Sequence, residues 1–129
     1  MTWTESDEGQ IWEASMAAAH YKLDNLTAIL DKNGLQIDGY TKDVMNSEPM
    51  ADKWTAFGWE VIEIDGHDFD RIDEAFSRAL TVSGKPVCII ANTLKGKGVS
   101  FMENQCEWHG RAPLSEEKEK AVSELSFFQ

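Results

Sequence analysis

The chain has 129 residues, 42% of them hydrophobic, which is enough for one domain with its own core. Twelve Lys and Arg face 23 Asp and Glu, and the formal charge of -11 would repel phosphate, which excludes nucleic acid and anionic membranes as expected partners. Two cysteines make no disulfide framework, and neither a signal peptide nor an apolar run of membrane-spanning length is present, so a cytoplasmic protein is expected.

In chain order, Glu8 to about Asp24 predicts a helix. Its early glutamates suit the positive end of the helix dipole. Ala14, Met16, Ala17, Ala18 and Ala19 leave little polar face, so cover on most sides is expected, from the core or from another protomer. Leu26 to Leu30 predicts a short buried strand, with turns at Asn33-Gly34 and Asp38-Gly39 on either side of Leu35-Gln36-Ile37. A loop to about Ser47 precedes a short helix from Pro49 to Phe57, where Pro49 suits a first turn and Gly58 a stop. Glu60 to Ile64 predicts a second strand. Asp68 is a fair N-cap for a helix from about Phe69 to Val82, with Phe69, Ile72, Phe76 and Leu80 at helical spacing. A third strand spans Pro86 to Ala91, with Cys88 as a small core residue. The basic, glycine-rich loop Lys95-Gly96-Lys97-Gly98 follows, and a last helix runs from about Ser115, a serine suited to a helix start, to Leu125.

Strands alternating with helices predict an α/β fold: a small parallel β-sheet of about three strands flanked by helices, with right-handed crossovers. A buried strand at the edge of so small a sheet points to self-association or a partner segment. Parallel sheets bind ligands beyond the carboxyl ends of their strands. There the chain places Asp31-Lys32-Asn33-Gly34, Asp65-Gly66-His67-Asp68 and Asn92-Thr93-Leu94-Lys95-Gly96-Lys97-Gly98. Oxygen ligands, cations and glycines in one cluster suit a magnesium and phosphate site, although turns carry the same residues for conformational reasons.

Several motifs in sequence order carry a more specific signal. Glu8-Gly9-Gln10-Ile11-Trp12-Glu13-Ala14, Leu23-Asp24-Asn25-Leu26, Asn33-Gly34-Leu35-Gln36-Ile37-Asp38-Gly39, Met50-Ala51-Asp52-Lys53-Trp54, Asp65-Gly66-His67-Asp68, Lys95-Gly96-Lys97-Gly98-Val99-Ser100 and Trp108-His109-Gly110 resemble the thiamine diphosphate-binding domain of the transketolase family. The resemblance runs from about Glu5 to the last helix as one domain, and is strongest to the separately encoded N-terminal subunit. It implies thiamine diphosphate with Mg²⁺ or Ca²⁺ as cofactors and a small phosphorylated sugar as substrate. The partner it implies is a further copy of the chain, in a homo-oligomer, or a complementary transketolase subunit. By the same resemblance Asn33 would give a side-chain oxygen to the metal and Leu35 a backbone carbonyl. Gly34, in the same turn, would also belong to the cofactor-binding residues, and Ile37 would pack near the cofactor rings. His109 would lie near the diphosphate and substrate. Glu8 and Glu13 would join a carboxylate chain across a dimer interface.

The family pattern breaks at the start. A Gly-Asp-Gly triplet supplies its first metal carboxylate, thirty residues ahead of the Asn; here Thr2-Trp3-Thr4 stands there. An indole cannot ligate a hard cation. The upstream strands, and the separate domain with the glutamate that activates the cofactor, are also not represented, so a truncated module not competent for ketol transfer alone is expected. Two other classes stay open. A hydrolase could use His109 or His67 as base beside Asp65, Asp68 or Cys106. A non-catalytic oligomerising module would need none of these. His67 and His20 are otherwise expected to be structural.

Overall fold

The computed structural model describes residues 1, 2 and 4–126. After a 3-10 turn at Thr4–Asp7, helix α1 spans Gly9–His20, and strand β1 spans Thr27–Lys32. A small hairpin follows, β2 at Leu35–Gln36 and β3 at Gly39–Tyr40, and then α2 at Thr41–Val44 and α3 at Met50–Ala56. Strand β4 (Glu60–Asp65), helix α4 (Phe69–Ala79), strand β5 (Val87–Asn92) and helix α5 (Ser115–Leu125) complete the chain. The main sheet is parallel with order β1-β5-β4, as expected for alternating strands and helices. Both ladders run the full length of the central strand: Thr27 and Glu60 flank Val87, and Lys32 and Asp65 flank Asn92.

Side chains alternate across a strand, so the two sheet faces have separate cores. On one face Leu30, Cys88 and Ile90 pack with Ala18 of α1 and with Met50, Trp54 and Trp59 around α3. Trp54 meets Trp59 edge-on at 4.7 Å between ring centroids and Trp12 at 5.7 Å, favourable tilted geometries for aromatic pairs. The Trp59 indole N–H donates to the Ser15 carbonyl at 2.9 Å, joining the far end of this layer to α1. On the other face Val87, Ile89 and Ile62 pack under Ala75 and Ala79 of α4. Ile29 of β1 shares that second face and remains 43% exposed, because α4 sits over β4 and β5.

Five local expectations change. Helix α1 stops at His20 rather than near Asp24: Lys22 takes a left-handed φ of 51°, and the Leu23 and Lys22 N–H groups donate to the Ala18 and Ala19 carbonyls. That is the bonding of a Schellman stop, made with lysine where glycine is usual. Cover on most sides of α1 is also not found within this chain, for Glu13, Ala14, Met16 and Ala17 are exposed. The expected apolar stripe of α4 is not its buried face, because small Ala75 and Ala79 let the helix approach the sheet while Phe69 and Leu80 are 87% and 88% exposed. At α5 the cap precedes Ser115: the Leu114 N–H donates to the Glu117 carboxylate at 2.7 Å. The loop expected up to Ser47 contains the one-turn α2, too short to leave an apolar period. Asp68 does cap α4, its carboxylate accepting the Asp70 and Arg71 N–H groups at 2.9 and 3.1 Å.

Candidate functional site

The carboxyl end of the sheet is built from the ends of β1 and β5 and the loops that follow. Strand β1 continues two residues past the expected Leu30, so Asp31 and Lys32 are held in register with Ala91 and Asn92. Residues 1 and 2 lie along the other side of β1. The Asp31 N–H donates to the Met1 carbonyl at 2.9 Å, and Thr2 forms a parallel bridge with Asp31. Beyond the strand, the Asn33 side-chain oxygen accepts the Leu35 N–H at 2.9 Å, closing a local side-chain turn. Gly34 sits inside it at φ 73°, and its carbonyl accepts the Thr41 N–H.

Around this turn lies a cavity of about 150 Å³ lined by Thr2, Thr4, Asp31, Asn33, Leu35, Gln36, Ile37, Lys95 and His109. Asn33, Leu35, Ile37 and His109, expected together from sequence, are thus brought together. Ile37 is 59% exposed at the tip of the β2–β3 hairpin, an apolar side chain at the mouth of a polar site. His109 follows the 3-10 turn Cys106–Trp108, and its N–H donates to the Cys106 carbonyl. The indole of Trp108 is fixed by a bond to the Phe101 carbonyl at 3.1 Å and lies under the Arg111 guanidinium at 4.1 Å. Lys95 enters from the glycine-rich loop, whose Gly98 N–H donates to Glu103 at 2.9 Å.

Two neighbours hold the turn in place. The Lys32 ammonium pairs with Glu48 at 2.8 Å and Glu63 at 3.6 Å, linking the end of β1 to β4 and to the segment before α3. Burial acts to lower the Lys32 pKa, but the bond and charge of Glu48 and then Glu63 outweigh it and hold the group above its ordinary value. The buried Gln36 amide donates to Asp7 at 2.8 Å, and Asp7 also accepts the Ser47 hydroxyl. Asp7 and Ser47 line the larger cavity beyond, about 450 Å³ with Trp12 and Phe57 in its wall.

Other expected site residues lie elsewhere. Glu8 is the exposed residue ahead of α1, and Glu13 is exposed on that helix; neither lines the small cavity. Trp3 lies outside the described residues. His67 is engaged structurally: its Nε2 accepts the Leu94 N–H at 2.7 Å, while its own N–H donates to Asp65. Asp68 is occupied as the helix cap. Cys106 and His109 are tied through backbone atoms. Asp31 and Lys95 belong to the strand-end loops, but membership of a loop does not say which side chains face its neighbour, so the sequence does not single them out.

Oxygen donors beside a lysine and a histidine suit a small anion with a hard cation, since magnesium keeps few protein ligands and shares phosphate oxygens. No group of three or more His, Cys, Asp or Glu side chains forms a metal cage among the described residues. No helix among them is long and apolar enough to cross a membrane. Comparison with known proteins agrees with this geometry. The family model for the transketolase thiamine diphosphate binding domain matches residues 4–128. The chain is 49% identical to one of the apulose-4-phosphate transketolase subunits of Phocaeicola vulgatus, over 95% of this chain and 43% of that protein. It is 50% identical to the 6-deoxy-6-sulfo-D-fructose transketolase subunit SqwG of a Clostridium species, over 94% of this chain and 44% of that protein. The chain thus spans less than half the length of the curated relatives it matches. The crystal structure of Campylobacter jejuni transketolase superposes with a TM-score of 0.88 at 34% identity, covering 97% of this chain and 20% of that one. The chain belongs to the transketolase family, as a thiamine diphosphate-binding domain.

Proposed function

We propose that this chain holds the diphosphate end of thiamine diphosphate, with a divalent cation, for ketol transfer between phosphorylated sugars, and that it does not carry out the transfer alone. The observation that carries this reading is the convergence of Asn33, Leu35, Ile37, Lys95 and His109 on one cavity at the carboxyl end of a parallel sheet. The donor set fits the group: Lys95 and His109 offer N–H donors to phosphate, and Asp31 and Asn33 offer oxygen to a hard cation. When bound, the cofactor supplies the electron sink for breaking a carbon–carbon bond beside a carbonyl. The chain's own residues bind and orient: Asn33 and Leu35 at the metal, Gly34 in their turn, Ile37 against the rings, His109 toward diphosphate and substrate.

The size of the cavity limits the role. At about 150 Å³ it suits a compact ionic group, well below the several hundred Å³ that enclose a whole organic ligand. The rest of the cofactor then needs walls from outside this domain. Helix α1 supports an assembly, leaving Glu13, Ala14, Met16 and Ala17 exposed where Glu8 and Glu13 could meet a partner. Two of the relatives named above are subunits by their own descriptions. Calorimetric titration with thiamine diphosphate, in Mg²⁺ and in Ca²⁺, tests the reading. Saturable binding weakened by Lys95→Met and by His109→Ala is expected. No heat of binding at millimolar cofactor would sink it.

A further inference from the structure

The family's first metal carboxylate has no counterpart at residue 3, where tryptophan stands, yet the Asp31 carboxylate lines the cavity around the Asn33 turn. We propose that Asp31 supplies the carboxylate of a divalent-cation site at the end of β1, completed by the Asn33 side chain, the Leu35 carbonyl and phosphate oxygens. This rests on the diphosphate reading above.

Four observations carry it. Asp31 and Asn33 are neighbours as well as co-lining residues: the Asn33 amide donates to the second carboxylate oxygen of Asp31 at 3.4 Å, and the Asn33 oxygen, which accepts the Leu35 N–H, keeps a second lone pair. The first oxygen accepts the Thr93 hydroxyl. A carboxylate offers about four lone-pair positions, so these contacts leave room for a metal. Asp31 is half-buried, and no lysine or arginine forms an ion pair with it among the described residues, although Lys95 lines the same cavity. A bound cation would supply the opposite charge that the ion pairs of the described residues do not give Asp31. Finally, its backbone is held from both sides, by Ala91 in the sheet and by Met1 and Thr2 at the edge. A ligand fixed this way has little conformational freedom to lose on binding.

Mn²⁺ is the probe, counted as free ion by electron paramagnetic resonance, with the full chain, alone and with inorganic diphosphate. Asp31→Asn, which keeps an oxygen for Thr93, should weaken uptake at least about tenfold, since even partners behind a metal ligand are worth 10- to 100-fold. Asp38→Asn, in the hairpin turn outside the cavity lining, should leave uptake unchanged. Should Asp31→Asn not fold by circular dichroism, the wild-type chain decides: Mn²⁺ should broaden the Asp31 carboxylate ¹³C resonance at lower concentration than those of Asp38 and Asp65. Equal uptake by wild type and Asp31→Asn, broadening elsewhere first, or no uptake at all overturns the proposal. Thiamine diphosphate bound with a metal affinity indifferent to Asp31 would leave the cofactor reading standing and remove this one. Asp31-dependent Mn²⁺ uptake without any cofactor binding would do the reverse.

Discussion

Replacing Gly96 with alanine probes how the loop beside Lys95 is held. Gly96 has φ 75°, and a Cβ built there would lie 2.5 Å from the Met102 carbonyl oxygen and 2.7 Å from its carbon. Neither atom belongs to a flexible side chain, so the loop itself must shift. The left-handed conformation costs an alanine about 1–2 kcal/mol. Overpacking against fixed atoms adds about 1–3 kcal/mol more. Gly84 is the control, since its φ is 74° but nothing lies within 4 Å of the built Cβ, so Gly84→Ala incurs only the conformational part. For a domain of this size 1 kcal/mol moves the melting temperature by roughly 4 °C. Gly96→Ala should therefore melt about 4–12 °C below Gly84→Ala in thermal unfolding followed by circular dichroism. Equal melting temperatures would refute the reasoning, because they would show that the Met102 contact relaxes without cost.

Trp59→Phe keeps most of the apolar bulk but leaves the Ser15 carbonyl without the indole N–H, and should lower the unfolding free energy by about 1–3 kcal/mol, read as a shifted urea midpoint at unchanged slope. Burial pushes the Cys88 thiol up to about 12, whereas Cys106 is partly accessible. A thiol reagent should modify the native protein at Cys106 and reach Cys88 only in denaturant; a rapid native reaction in Cys106→Ser would contradict this. Glu60 is held below the usual carboxylate range by the Lys85 bond first and the Arg78 bond second. At Glu48 burial acts upward, but the Lys32 bond, the Met50 N–H and the nearby lysines prevail, so that carboxyl is also lowered. Both contribute stability that is present above the unfolded pKa of about 4.3 and lost as pH falls through their lower folded values. Denaturant unfolding from about pH 6 to pH 3 should show that loss, with a shallower slope in Glu60→Gln; an unchanged slope would argue against the Glu60 contribution.

How much of this was legible in the chain varies by element. The three strands show as short apolar runs, although only the central β5 is buried on both faces, and the order of alternating elements was enough for a parallel sheet. Where a helix lies on the sheet was less legible. Apolar spacing in α4 singles out Phe69, Phe76 and Leu80, but close approach to the sheet selects Ala75 and Ala79, whose small size matters more than their hydrophobicity. The end of α1 was hidden because Lys22 adopts the conformation usually marked by glycine. In the site, Asn33, Leu35, Ile37 and His109 were accessible through motif order. The place of Asp31 in the cavity lining was not, because it follows from β1 running two residues further than its apolar run, which turns a loop residue into a strand residue with a fixed direction.

The strand order has a consequence for how the molecule assembles. Both parallel ladders include β5, and β1 and β4 do not touch in the sheet. During synthesis, therefore, neither ladder of this sheet can form until the residues of Val87–Asn92 have been made. The β4–α4–β5 unit then closes over a short stretch of chain, whereas joining β1 to β5 brings together residues sixty positions apart, as Thr27 with Val87. Contacts distant in sequence form more slowly than local ones. The cavity at the end of β1 is thus the late-assembling part of the domain, and its integrity depends on the step that inserts the last strand between the first two.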